Sequence, residues 1–175
     1  KAGEDRRFRG VKEKFSGFLV WWTISALWVF LTTVNALVTI INNVEYYDDL
    51  FLFIGLIIWI AGFSFEVIAD EQKRKFRLQS SNKDQFISNG LWSISRHPNY
   101  FGEILLWIGM AIIAYPTLIG WQHLSLISPV FIYLLITRMS GVNLLENHAD
   151  KKWGEDENYK KYKQNTPVLI PFLKT

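Results

Sequence analysis

The sequence predicts an all-α protein, a polytopic membrane bundle of four transmembrane helices followed by a cytoplasmic helical tail. Three observations carry that prediction. Half of the 175 residues are hydrophobic although one in five is charged; the apolar residues gather into blocks rather than stripes; and the basic residues alternate from one connection to the next. The composition excludes a disordered chain, a collagen-like repeat and a long coiled coil. Disulfide scaffolds, thiolate metal sites and cysteine nucleophiles are excluded too, because the chain has no cysteine. The chain begins at Lys1 and is read as one membrane domain, residues 1–175, forming the C-terminal part of a longer protein.

Between Lys14 and Glu45 lie 30 residues without a charge, including Trp21-Trp22 and the run Ala26 to Leu31. At about 1.5 Å per residue, some 20 of these cross a hydrocarbon core about 30 Å thick. The first span is therefore placed at about 18–41. The second, about 50–69, is the run from Leu50 to Ala69, which carries one acid, Glu66. From Ile104 to Thr137 come 34 residues with no Asp, Glu, Lys or Arg. A single helix of that length would measure about 51 Å and overshoot the bilayer. Pro116 and Gly120 interrupt it, and Trp121, Gln122 and His123 suit an interface. A hairpin results, with a third span at about 99–115 and a fourth at about 121–140.

The connections test this topology. Of the 19 Lys and Arg residues, six precede the first span, six lie between the second and third, and seven run from Arg138, at the end of the fourth, to Lys174. The first connection holds only Glu45, Asp48 and Asp49, and the turn between the third and fourth spans holds no basic residue. By the positive-inside rule both termini are cytoplasmic. The tail, 141–175, begins as a polar helix. It closes with Thr166-Pro-Val-Leu-Ile-Pro-Phe-Leu173, whose two prolines end any helix and predict an apolar, strand-like segment docked back at the membrane face.

Polar residues in or beside hydrocarbon are costly and mark candidate sites. Glu66, Asp70, Arg74 and Arg77 fall at i, i+4, i+8 and i+11, one stripe running out of the second span with Lys73 beside it. Such a stripe suits either a solvated juxtamembrane helix in contact with lipid headgroups or a site for an anionic ligand. A second cluster, Arg96, His97, Asn99, Tyr100 and Glu103, enters the third span. Pro98 suits the first turn of that helix, which places Arg96 and His97 at the positive end of its dipole. Asn99 and Glu103 share a face directed into the bundle, and this cluster exceeds what anchoring needs. A third group combines Arg138, Glu146, His148 and Asp150 with Trp153, Tyr159 and Tyr162. His148 is read as solvated, and no metal site is expected, since His148 and Asp150 lack further ligands.

The run Gly90-Leu-Trp-Ser-Ile-Ser-Arg-His-Pro-Asn-Tyr-Phe-Gly-Glu-Ile-Leu-Leu-Trp107 resembles the signature of the steroid 5α-reductase C-terminal superfamily, in particular its DUF1295 branch. The tail, Ser140-Gly-Val-Asn-Leu-Leu-Glu146 with Tyr159, Tyr162 and Thr166 to Phe172, is similar to that family's closing motif, with Asn143 where proline is expected. Gly3-Glu-Asp-Arg-Arg-Phe8 resembles its preceding cytoplasmic segment.

The resemblance implies a membrane oxidoreductase that moves a hydride from NADPH to a carbon–carbon double bond of a lipophilic, steroid-like, sterol-like or enone substrate. The same superfamily includes isoprenylcysteine carboxyl methyltransferases, so an S-adenosylmethionine-dependent methyltransferase is the alternative, and a non-catalytic binding module a third reading. The acid after Phe101-Gly102 favours the reductase. On this carry-over, Asp70, Arg74 and Arg77 meet the adenosine and phosphates, and Asn99 and Glu103 hold the nicotinamide amide. Arg96, His97 and Tyr100 line the pyrophosphate or ribose, and Glu146 closes the pocket. Glu103 or Tyr100 supplies the proton that must accompany the hydride. The expected partners are the bilayer, in the bacterial inner membrane or endoplasmic reticulum, and a lipophilic small molecule, with no nucleic acid.

Overall fold

A computed structural model describes residues 14–42 and 49–173. The basic segment before Lys14, with the stretch Gly3 to Phe8, and the acidic connection carrying Glu45 and Asp48 lie outside the described residues. All regular elements among those described are helical. Four stretches are long and apolar enough to cross a membrane: Phe15–Asn42, Leu50–Leu78, Pro98–Thr117 and Gly120–Trp153. Their outer faces expose Phe53, Ile57, Ile60 and Phe63, as lipid contact allows.

Helices α1 (Phe15–Asn42), α2 (Asp49–Leu78) and α3 (Pro98–Ala114) are the long elements. At 30 residues α2 measures about 45 Å, so its C-terminal turns project beyond a core of about 30 Å. That projection carries Lys73, Arg74, Lys75 and Arg77 to the basic end of the bundle.

The contact between α2 and α3 is made by glycine. Gly55 and Gly62 on α2 are seven residues apart, as are Gly102 and Gly109 on α3, and the antiparallel helices bring them together in reciprocal pairs. A Cβ on Gly62 would lie 2.7 Å from the Gly102 carbonyl oxygen, and one on Gly102 would lie 2.6 Å from that of Gly62. Gly55 and Gly109 repeat the arrangement at 2.8 and 2.7 Å. Backbones this close exclude any side chain, the close approach that small residues permit between membrane helices.

The fourth span departs from the single helix expected over about 121–140. A 3-10 stretch, Gly120–Ile127, leads into α4 (Ser128–Leu134) and then a π-helical turn, Leu135–Ser140. Pro129 explains the first change. It has no N–H to continue a helix arriving from Ile127, but its fixed φ suits the first turn of a new one. Beyond the π turn, Gly141 packs so that a Cβ would sit 2.5 Å from the Ile136 carbonyl oxygen.

Hydrogen bonds hold α1 against this hairpin at the end away from the basic residues. Asn35 Nδ2 donates to Ser128 Oγ (2.9 Å), and Thr39 and Thr117 share a hydroxyl bond (2.9 Å). Asn42 Nδ2 donates to the Thr117 carbonyl (2.7 Å) and to Gln122 Oε1 (2.8 Å), and Gln122 Nε2 returns a bond of 3.1 Å. These amides in the first span carry no motif, and the sequence reading passes over them.

The tail forms α5 (Val142–Trp153) and α6 (Glu157–Asn165), the latter capped by Asp156, which accepts from Asn158 N–H (2.8 Å). Contrary to the expectation from its composition, the closing segment 166–173 forms no strand. Pro167 and Pro171 lack the donors a ladder needs. The segment docks through single bonds instead: Arg96 N–H to the Pro167 carbonyl (2.9 Å) and Ser95 Oγ to that of Leu169 (2.8 Å).

Replacing Asn42 with Leu removes three bonds between α1 and the hairpin. It is expected to lower stability by about 1–2 kcal/mol, near the upper range for polar contacts between membrane helices. Thr33→Val, which removes bonds only to α1's own backbone, is the control and should change little. Thermal unfolding in detergent measures both, and equal losses would contradict the placement.

Candidate functional site

At the basic end, α2, the connection 79–97 and the tail enclose a cavity of about 410 Å³. That volume lies within the range of small-molecule and cofactor sites. The wall from α2 supplies Lys73, Phe76 and Arg77; the connection supplies Phe86, Trp92, Arg96 and His97; the tail supplies Glu146, His148, Lys152, Trp153, Tyr159 and Tyr162. Cations and aromatic rings therefore alternate around one space.

The connection is fixed to α2 by a short series of contacts. Gly90 has φ of +60°, a conformation that favours glycine, and it packs on the Gln72 amide, which a Cβ there would meet at 2.6 Å and displace. Gln72 Oε1 accepts from Leu91 N–H (2.9 Å), and Trp92 Nε1 donates to the carbonyl of fully buried Ala69 (3.0 Å). Lys73 Nζ then lies 4.5 Å from the centre of the Trp92 ring. Tyr162 O–H donates to the Trp92 carbonyl (2.6 Å), tying α6 to the same corner.

Glu146 organises the floor. One carboxylate oxygen pairs with Arg96 Nη1 (2.8 Å) and the other accepts from His97 Nε2 (2.8 Å), while Lys163 stands 3.9 Å away and pairs more closely with Asp150 (2.6 Å). The Arg96 side chain is only 10% exposed, yet its Nε is buried without a hydrogen-bond partner. A buried guanidinium with an unspent donor at a cavity wall is a seat for an anion or another acceptor. The His97 ring stacks on Tyr100 at 5.6 Å, and Tyr100 rests on the core of Ile132, Ile136 and Val142.

The candidate residues fall into two groups. Arg77, Arg96, His97 and Glu146 line the cavity. Asp70, Asn99 and Glu103 do not; they gather along the α2–α3 contact. Asn99 Nδ2 donates to Asp70 Oδ1 (3.1 Å), and Glu66 and Asp70 act electrostatically on Glu103. Tyr100, through its stack on His97, joins the two groups. Arg74 belongs to neither: it is 61% exposed and held by Glu71 through bonds of 2.6 and 2.7 Å. The stripe expected along α2 thus divides by face, with Lys73 and Arg77 toward the cavity.

Other wall residues escape motif reasoning. Phe86 and Asp84 sit in a polar loop without pattern. The one usable signal was a lone aromatic, Phe86, in that loop. His148, read from sequence as solvated, is exposed and borders the cavity.

Burial raises the Tyr162 phenol above its ordinary range, and burial together with its bond to Asp150 does the same for Tyr159. Both hold their protons more tightly folded than unfolded. Their contribution is therefore complete below about pH 10 and is lost as pH rises through the folded values.

A profile describes the family as "Protein of unknown function (DUF1295)" and matches residues 1–166. The chain is also similar to a protein named 3-oxo-5-alpha-steroid 4-dehydrogenase 1 from Macaca fascicularis. The two are 30% identical over 128 residues, which cover 72% of this chain and 42% of that protein. No solved structure matches the chain.

Glu146→Ala strands the buried Arg96 guanidinium and removes the acceptor that His97 Nε2 meets, so a loss of about 3 kcal/mol or more is expected. Glu157→Ala, which breaks an exposed pair with Lys160, should cost under about 1 kcal/mol. Tyr162→Phe should lower stability by about 1 kcal/mol at neutral pH and flatten the decline above about pH 10. Denaturation in detergent across that pH range measures all three variants.

Proposed function

The chain belongs to the DUF1295 family, and on that premise we propose that it is a membrane reductase that binds NADPH at the basic end and delivers hydride to a carbon–carbon double bond of a lipophilic substrate. The observation that carries this reading is buried Arg96, with an open donor, in the wall of a cavity that also holds Lys73, Arg77, Lys83 and Lys152 among aromatic rings. A phosphorylated dinucleotide presents both chemistries, anionic groups for guanidinium and ammonium donors and flat rings for aromatic faces.

The residues fit such a ligand. Lys73, Arg77 and Arg96 would hold phosphates, with His97 and Glu146 fixing Arg96. Asn99, bonded to Asp70 but with a buried Oδ1 still unpaired, offers an acceptor for a carboxamide N–H. NADPH would supply the hydride. Glu103 or Tyr100 would deliver the accompanying proton, Glu103 standing beside two other acids and Tyr100 on the His97 ring. The apolar faces of the spans admit a substrate from the bilayer. The relative's name describes 4-dehydrogenation of a 3-oxo-5-alpha-steroid, a reaction whose reverse reduces a lipophilic 3-oxo-4-ene, which accords with an enone substrate here.

Purified protein should bind NADPH with quenching of its tryptophan fluorescence. Arg77→Ala, at a residue that is exposed and outside the buried network, should weaken binding about tenfold, as expected for loss of one charge-assisted contact. A rise in melting temperature with S-adenosylmethionine and none with NADPH would overturn this reading in favour of methyl transfer.

A further inference from the structure

We propose that residues 79–89 are a hinged strap that gates the cavity, latched to the tail through Asp84 and Phe86. This inference rests on the cofactor reading for its ligand, and on geometry alone for its moving part.

The strap is built to move as a unit. A 3-10 turn, Ser80–Asn82, is braced from within: Asn82 Nδ2 donates to Gln79 Oε1 (2.9 Å), and Gln85 N–H donates to the Asn82 carbonyl (3.0 Å). Its two ends are fixed to α2, at Phe76 by Asn82 and at Gln72 by Leu91. Between these anchors the chain passes through Asp84, whose φ of 67° is a left-handed conformation uncommon for a residue other than glycine. Aspartate tolerates this conformation better than most residues, and the contacts around Asp84 hold it there.

The contacts that enforce it reach across the cavity to the tail. Lys152 Nζ pairs with Asp84 Oδ1 (2.8 Å), Trp153 Nε1 donates to the Asp84 carbonyl (2.6 Å), and Lys152 lies 4.9 Å over the Trp153 ring. Two residues on, the Phe86 ring enters a box of Trp153, Tyr159 and Tyr162, with centroids 6.0, 5.3 and 5.5 Å away. Because the same strap residues line the cavity, withdrawing Phe86 and breaking the Asp84 pair opens its wall without disturbing Arg96, His97 or Glu146. The ion pair is largely exposed, so it supplies a weak, reversible closure, whereas the aromatic box supplies its register.

A gate changes rates in both directions, whereas a wall that contacts ligand changes dissociation alone. The test compares wild-type protein, Phe86→Ala and Asp84→Asn in nanodiscs, following NADPH association and dissociation by stopped-flow fluorescence. Hydrogen exchange of the strap amides is followed without ligand. The expected result is faster exchange in the strap, with association and dissociation both accelerated, about tenfold in Phe86→Ala and about twofold to threefold in Asp84→Asn, and an affinity changed by less than about threefold. Asp84→Asn keeps a residue tolerant of positive φ and removes only the charge, so it decides the matter if Phe86→Ala does not fold. Unchanged strap exchange in the variants overturns the gate, as does faster dissociation with unchanged association. Wild-type protein that binds no NADPH overturns the cofactor reading instead, and strap exchange then still decides whether the latch exists.

Discussion

The α2–α3 contact is the constraint on which the rest of the structure depends. Two glycine pairs, Gly55 with Gly109 and Gly62 with Gly102, bring the helix backbones together with no side chain between them. In a bilayer there is little hydrophobic drive for one helix to choose another, so close packing and a few polar bonds must select the partner and its register. Heptad spacing of the glycines on both helices does this. Once the register is set, Asp70 meets Asn99, Ala69 receives Trp92, and Gln72 caps Leu91. All three contacts fall within residues 69–72, one turn of α2 at the approach to its basic end.

The site is then assembled from what this seam delivers. Because α3 starts where α2 leaves the hydrocarbon, Arg96 and His97 stand at its N-terminus beside the projecting turns that carry Lys73 and Arg77. The tail completes the enclosure: Glu146 engages both Arg96 and His97, and the closing segment bonds to the backbone of Ser93 and Arg96 and to the Ser95 hydroxyl. The candidate chemistry divides accordingly. Cations, rings and Glu146 face the cavity, while Asp70, Asn99 and Glu103 lie along the helix seam. The bundle's opposite end uses a different device, neutral amides and hydroxyls between α1 and the hairpin, which fix α1 without placing charge in hydrocarbon.

The membrane architecture was legible in the sequence because uncharged runs and alternating basic connections report directly on a bilayer. The Arg96-His97-Pro98 corner was legible because Pro98 announces a helix start. The glycine seam was not read, although Gly55, Gly62, Gly102 and Gly109 are visible, since heptad spacing on two helices gains meaning only once they are known to pair. The fate of Arg74 was equally hidden: Glu71, three residues away, competes for its guanidinium on the exposed face. The fourth span's break between its 3-10 and α segments follows from Pro129, whereas nothing in the run Leu135 to Ser140 announces the π turn. Phe86 was missed because its role depends on three tail aromatics some 67 to 76 residues away in sequence.

The central claim, that glycine contacts between α2 and α3 set the register of the site, is most directly tested by cross-linking. The chain has no cysteine, so Asp70→Cys with Asn99→Cys gives one possible disulfide, whose rate of formation reports on the seam. Gly62→Ala should slow it about tenfold by forcing the backbones apart, while Ala61→Leu, at an exposed neighbour of Gly62, should leave it unchanged. Equal rates in the Gly62→Ala and Gly62 backgrounds would contradict the account.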